Sequence, residues 1–297
     1  MTLTPLRAGD QIALIAPASP FEVENYTRLR DSLKGKGFQL VQGENVFLRR
    51  GYLAGTEADR ANDLIEAVKN PSIAAIICVR GGYGSGRLLP WLPFPVLQRN
   101  RKIFLGYSDI TFLHLAFLSQ MGWITFHGPN LLDADSSPGK LDGILQALEG
   151  QSGFAWSLQD GHIVRAGVAT GSLFGGNLTC ISHLLGTPYF PDPKGALLLV
   201  EDCSEALYRL DRIFNHLKLA GVLDVISGLI LGDFKDCAES REILNMVLEH
   251  AGPFHFPIIA GLPFGHDGLN EVIPFGAPFY LNTYERTFRV QHSPFSE

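Results

Sequence analysis

The chain has 297 residues, 46% of them hydrophobic and 18% charged, with a formal net charge of -6 at pH 7. That length holds one large domain or two modest ones and can bury a substantial core, which excludes intrinsic disorder. The acidic balance, with no cluster of Lys or Arg, argues against nucleic acid, whose phosphates require a basic patch.

The chain opens MTLTPLRAGDQIALIAPASP, and its apolar stretch from Ile12 to Ala16 is far too short for a signal-peptide core. No other segment approaches the ~20 apolar residues of a spanning helix, so a soluble protein in the cytoplasm is expected. The first half alternates apolar runs with amphipathic segments, the pattern of βα units around a parallel sheet. Strands are predicted over residues 11–16, 73–79 and 102–105, continuously hydrophobic because both faces are covered. Helices are predicted over 23–33, over 56–68 with Thr56 as N-cap, and from Asp109 to about Gln120.

Ser136, Ser137 and Pro138 are expected to open a helix that runs to Leu148, with Ser137 as cap and Pro138 at the first helical position. Residues 1–150 thus read as an N-terminal α/β domain. The polar, Gly-containing stretch 151–170 reads as a linker and 171–297 as a C-terminal domain. In that second part strands are predicted over 196–200, 225–231 and 257–261, and helices over 205–217 and 241–251. No internal repeat and no low-complexity tract interrupts the chain. Cys78, Cys180, Cys203 and Cys237 form no CxxC pair, which favours reduced thiols over disulfides or zinc.

Two loops follow predicted strands directly, and the carboxyl ends of strands are where α/β sheets bind ligands. The first is Arg80-Gly81-Gly82-Tyr83-Gly84-Ser85-Gly86-Arg87. It fails the dinucleotide pattern GxGxxG in both registers, because the third glycine position is Leu89 or Arg87. It also lacks the GKS/T ending of a phosphate-binding loop, so a nucleotide cofactor is not expected. A tight turn remains the plain alternative.

The second loop is Gly106-Tyr107-Ser108-Asp109, between a strand and a helix. A serine there presents its hydroxyl at the sheet edge, and the next backbone N–H faces a developing oxyanion. Seen alone, a serine at such a turn is more often a helix cap than a nucleophile, and the motif is not the GxSxG elbow. Partners for an activated serine stand in the second half. Glu201 ends an apolar strand and His266 follows a strand and turn in GLPFGHDG, with Glu205 as a second possible acid. His114 and His216 fall inside predicted helices, while His127 and His183 lie near turns and stay open. No HExxH or other spaced cluster points to a metal.

Taken together, RGGYGSGR, GYSDIT at 106–111, SLFGGNL at 172–178, LLVEDCSEALYRLDR at 198–212 and GLPFGH at 261–266 resemble the LD-carboxypeptidases of serine peptidase family S66. Relatives of that family include the self-immunity peptidases that inactivate microcin C. The resemblance covers essentially the whole chain in order. It implies a flavodoxin-like N-terminal α/β domain, a C-terminal α/β domain around a small β-barrel-like sheet, and a homodimer. It further implies Ser108 as nucleophile, Glu201 as the acid, His266 as the base, and the amides of Gly82 and Asp109 as the oxyanion hole. The implied substrate is a murein tetrapeptide that loses its terminal D-alanine in cell-wall recycling, without metal or cofactor.

Two other functions fit the same residues. A microcin-immunity-type amidase acting on an aminoacyl sulfamoyl adenylate needs an aromatic platform for the base, a role that Trp91, Trp123 and Trp156 do not announce. A non-catalytic α/β ligand-binding protein predicts that Ser108, Glu201 and His266 lie far apart.

Overall fold

A computed structural model of the chain describes residues 2–134, 137 and 139–296. The first half contains β1 (Gln11–Ile15), α1 (Val23–Gly35), β2 (Gln39–Gln42), α2 (Glu57–Lys69), β3 (Ile73–Cys78), α3 (Phe94–Leu97), β4 (Ile103–Gly106), α4 (Thr111–Met121), β5 (Thr125–His127) and α5 (Lys140–Leu148). There follow β6 (Ala155–Ser157), β7 (Ile163–Arg165), β8 (Val168–Asn177), α6 (Leu178–Leu184), β9 (Leu197–Cys203), α7 (Leu207–Leu219), α8 (Val222–Val225) and β10 (Gly228–Lys235). The chain closes with α9 (Ser240–Ala251), β11 (Ile258–Ala260), β12 (Ile273–Phe275), β13 (Pro278–Asn282) and β14 (Thr287–Val290).

The first sheet has the order β12-β5-β4-β3-β1-β2. Its first five strands in the chain are parallel in the flavodoxin-like order 2-1-3-4-5, and β12 adds an antiparallel edge beside β5. The apolar runs behave as their composition requires: every residue of β4, and all of β1 after Gln11, is buried. Local chemistry fixes the starts of helices as well. Thr56 caps α2 by accepting from the Asp59 amide at 3.2 Å, and the Asp59 carboxylate returns a bond to the Thr56 amide at 2.8 Å.

The second sheet has the order β6-β14-β13-β8-β9-β10-β11-β7 and is curled into a half-barrel. Its four central strands, β8 to β11, are parallel and its flanks antiparallel. Successive residues of β9 point to opposite faces. Leu198 and Val200 join one apolar core with Ile76 and Phe104, while Leu199 joins another with Ile77 and Leu105. Each core therefore draws on both sheets.

Several expectations shift. The stretch 151–170 carries β6, β7 and the start of β8, so it builds the edges of the second sheet as well as joining the halves. Ser137 is not the cap of α5: the helix starts at Lys140 with Gly139, at φ 79°, before it. Ser136 and Pro138 lie outside the described residues. The helix expected from Asp109 begins as a 3-10 turn over Ser108–Ile110. The run expected at 225–231 begins instead with the end of α8, and β10 starts at Gly228.

A close approach joins the end of β8 in the second sheet to α4, which follows β4 of the first. Gly176, near the end of β8, has φ 119°, and a Cβ there would stand 2.4 Å from Thr111 Oγ1 on α4. With no side chain in the way, the Asn177 amide donates to Thr111 Oγ1 at 2.9 Å. Gly176→Ala should therefore destabilise the protein by about 1–3 kcal/mol, through overpacking and a left-handed conformation that alanine resists. Urea unfolding measures this, and a variant as stable as wild type would show that the close approach is dispensable.

Candidate active site

Ser108 sits where β4 turns into helix, with φ 65°. A non-glycine residue in that left-handed region costs on the order of 1–3 kcal/mol and persists only where its surroundings enforce it. Here the Tyr107 amide donates to Asn130 Oδ1 at 3.3 Å and the Ile110 amide to Tyr107 O at 3.3 Å. Ser108 does not cap the helix, since the residue before the turn is Tyr107 and no side chain bonds there. Its hydroxyl points instead into the space between the two sheets.

Across that space Ser108 Oγ lies 3.1 Å from His266 Nε2, and His266 Nδ1 lies 2.6 Å from Glu201 Oε2. Glu201 stands near the end of β9 and is fully buried. His266 is carried by the segment between β11 and β12. There the Gly265 amide donates to Asn270 Oδ1 at 3.0 Å and the Glu271 amide to Pro263 O at 2.7 Å. The Tyr107 ring packs against the imidazole at 4.8 Å between centroids. The other acid weighed for this position, Glu205, turns away to pair with Arg209 at 3.4 Å.

The Gly-rich loop after β3 lies directly against the serine. A Cβ on Gly81 would stand 2.9 Å from Ser108 Cβ. The Ser85 amide donates to Asp109 Oδ2 at 2.7 Å and the Ser85 hydroxyl to Asp109 O at 2.5 Å. These bonds fasten the loop to the turn that carries Ser108.

Burial opposes charge on both members of the Glu201–His266 pair, and their contact favours it. Burial raises the Glu201 carboxyl above its ordinary value, and the hydrogen bond from His266 only partly offsets this. At His266 burial works downward, but the neighbouring Cys203 and the hydrogen-bonded Glu201 carboxylate outweigh it and lift the imidazole to about 10. The pair thus favours a proton on Nδ1 directed at Oε2. Glu201 Oε1 has no protein partner among the described residues, so the carboxylate leans on His266 alone.

Sequence reasoning assigned no role to three neighbours of this line. Cys203 follows Glu201 by two residues on β9, and the strand period, which places both on one face, was the available signal. Burial, with Asp133 beside it, raises the Tyr107 hydroxyl well above its ordinary value, and no local pattern marks either residue. His114 is a buried core residue, bonded to Thr125 Oγ1 and Gly106 O at 2.8 Å each. His127 is buried with no hydrogen-bond partner for its ring among the described residues, and His183 stacks on Phe112. Among the described residues no three His, Cys, Asp or Glu side chains converge as metal ligands.

Chemically, a hydroxyl, an imidazole and a buried carboxylate in one hydrogen-bonded line can generate a serine alkoxide equivalent, the capability of a serine hydrolase. Comparison with known proteins gives the class its family. The LD-carboxypeptidase N-terminal domain matches residues 12–128 and the LD-carboxypeptidase C-terminal domain residues 170–281. The chain belongs to the LD-carboxypeptidase family, a family of hydrolases.

A probable murein peptide carboxypeptidase of Bacillus subtilis is 33% identical over 95% of this chain and 92% of its own. The solved muramoyltetrapeptide carboxypeptidase of Oxalobacter formigenes superposes with a TM-score of 0.83 at 30% identity, covering 94% of this chain and 97% of its own. The microcin C7 self-immunity protein MccF of Escherichia coli is 30% identical over 94% of this chain and 92% of its own. A solved structure of MccF superposes over the full length of both chains with a TM-score of 0.92.

The raised imidazole sets a pH expectation. If His266 serves as the base expected from the sequence, Nε2 must be unprotonated, and activity should be present at high pH and lost as pH falls through the His266 pKa, above the 6.5 of a free imidazole. Glu201→Gln removes the charge that helps hold the proton and should move the acid limb of kcat/KM to lower pH while reducing kcat. An acid limb that stays put in Glu201→Gln would detach Glu201 from His266 function.

Proposed function

We propose that the protein is a serine LD-carboxypeptidase that releases terminal D-alanine from murein tetrapeptides, with Ser108 as nucleophile, His266 as base and Glu201 as its orienting carboxylate. The observation that carries this reading is the hydrogen-bonded line Glu201 Oε2–His266–Ser108 Oγ at 2.6 and 3.1 Å. His266 Nε2 takes the hydroxyl proton as Oγ attacks the carbonyl of the residue before the terminal D-alanine. The oxyanion is met by the amides of Gly82 and Asp109, each such donor typically worth about 3 kcal/mol. His266 returns the proton to the departing amine, and water then resolves the acyl-enzyme by the same route. Glu201 keeps the Nδ1–H tautomer and stabilises the imidazolium.

The proximity of Gly81 to Ser108 supports the assignment of Gly82, and the position of Asp109 directly after the serine supports the other donor. The substrate class rests on the relatives named murein peptide and murein tetrapeptide carboxypeptidase. Cytoplasmic location and a homodimer belong to the same proposal; among the described residues no helix is long and apolar enough to cross a membrane.

The likeness to MccF favours one second reading, an amidase acting on an aminoacyl sulfamoyl adenylate. Trp123 is buried, and Trp156 packs on Phe264 while donating to Glu271 at 2.6 Å, so neither is free to stack on a base. Tyr83, next to Gly82, is exposed and forms an edge-to-face pair with exposed Tyr52, which gives this reading an aromatic surface near the loop.

Stereochemistry tests the proposal. With the terminal carboxylate held fixed, an L-residue swings its side chain into the pocket wall, and a carbonyl misplaced by about 1 Å costs roughly 100-fold. Matched tetrapeptides ending in D-Ala, L-Ala and D-Ala-amide should show high kcat/KM for the first only, because a site built for an anion leaves its donors unpaired on an amide. Equal values for the D and L peptides, or faster turnover of an aminoacyl sulfamoyl adenylate assayed alongside, would replace the carboxypeptidase reading.

A further inference from the structure

The amide of Gly82 lies in a loop that neither a strand nor a long helix holds, at φ 103°. An oxyanion donor is effective only when it is fixed before the charge develops. Two side chains outside the catalytic line supply that fixation, one on each side of Gly82.

On one side stands Ser19, in the loop after β1. Its amide donates to Gly81 O at 3.2 Å, and its hydroxyl oxygen accepts from the Tyr83 amide at 3.0 Å. A Cβ on Gly82 would come 2.4 Å from Ser19 Oγ, so the hydroxyl is moulded against the backbone of Gly82 itself. On the other side stands Arg60 of α2, only 1% exposed. Its Nη1 donates to Gly84 O at 2.7 Å and to Pro17 O at 2.6 Å, so a single nitrogen ties the Gly-rich loop to the loop after β1. Nε and Nη2 have no protein partner among the described residues. Removing a guanidinium from water costs several kcal/mol, and a purely structural contact between two carbonyls does not require a charge there.

We infer that Arg60 and Ser19 are positioning residues for the oxyanion site, holding the Gly82 amide in place through Gly84 and Tyr83. Neither touches the substrate. The inference rests on the reading of Ser108 as nucleophile and Gly82 as oxyanion donor. Because the tethers act on a donor that matters most in the transition state, their loss lowers kcat and leaves KM nearly unchanged.

The test compares wild type with Ser19→Ala, Arg60→Met and Arg60→Lys, using a D-Ala tetrapeptide for kcat and KM and an alkyl fluorophosphonate for the rate of covalent labelling. Losing a donor outright costs about 100- to 1000-fold, so displacing one should cost about tenfold in Ser19→Ala and about 100-fold in Arg60→Met. KM should stay within threefold, and labelling should slow in parallel with kcat. Arg60→Lys, which can return an ammonium near the point now held by Nη1, should recover at least tenfold over Arg60→Met. Should Arg60→Met fail to fold, Ser19→Ala and Arg60→Lys carry the test, each expected to lose kcat at constant KM.

Folded Ser19→Ala and Arg60→Met variants with kcat within threefold of wild type, or with a raised KM at unchanged kcat, would overturn the inference. Wild type that resists the fluorophosphonate would overturn the Ser108 reading and this inference with it. Wild type and variants labelled equally fast would overturn the inference alone.

Discussion

The site depends on a carboxylate that water does not reach. Glu201 is fully buried near the end of β9, and His266 is the one side chain hydrogen-bonded to it among the described residues. Burying an unpaired carboxylate costs several kcal/mol, so the fold must hold the imidazole at Oε2 or leave the acid protonated. That requirement explains the stapling of the segment around His266 and the packing of Tyr107 against its ring. It also ties together parts of the chain that are far apart, since 158 residues separate Ser108 from His266.

The two sheets share this work. The first presents Ser108 at the carboxyl end of β4, in a conformation that the backbone resists. The second presents Glu201 at the corresponding end of β9, and the close approach of Gly176 to Thr111 sets the spacing between them. Strain at Ser108 and desolvation at Glu201 both oppose folding. Cores that draw on both sheets offset these local costs, as is usual where function and stability compete.

Much of this was legible in the sequence because the informative residues lie at the ends of apolar runs. β1, β3 and β4 read as buried strands for the reason that they are covered on both faces, and Thr56 announced α2 through its capping chemistry. The loops after β3 and β4 were visible as candidate ligand loops for the same reason. What was not legible depends on contacts distant in sequence. β8 contains GSLFGGN, a composition poor in strand formers, and its glycines make sense only beside Thr111 and β9. The stretch 151–170 is polar because β6 and β7 are short edge strands, so it carries no continuous apolar run. Ser137 failed as a cap because Gly139, in the left-handed region, starts α5 instead. Nothing in the helical pattern over 56–68 singles out Arg60, and only its two carbonyl partners mark it.

The central claim is that Ser108 becomes covalently acylated through His266. Rapid acid quench of the enzyme turning over a D-Ala tetrapeptide, followed by peptide mass spectrometry, reads this directly. The account predicts an adduct with the mass of the tripeptide acyl group on the peptide containing Ser108, absent from Ser108→Ala and accumulating before D-alanine release reaches steady state. An adduct on another residue, or full turnover by Ser108→Ala with no adduct at all, would contradict it.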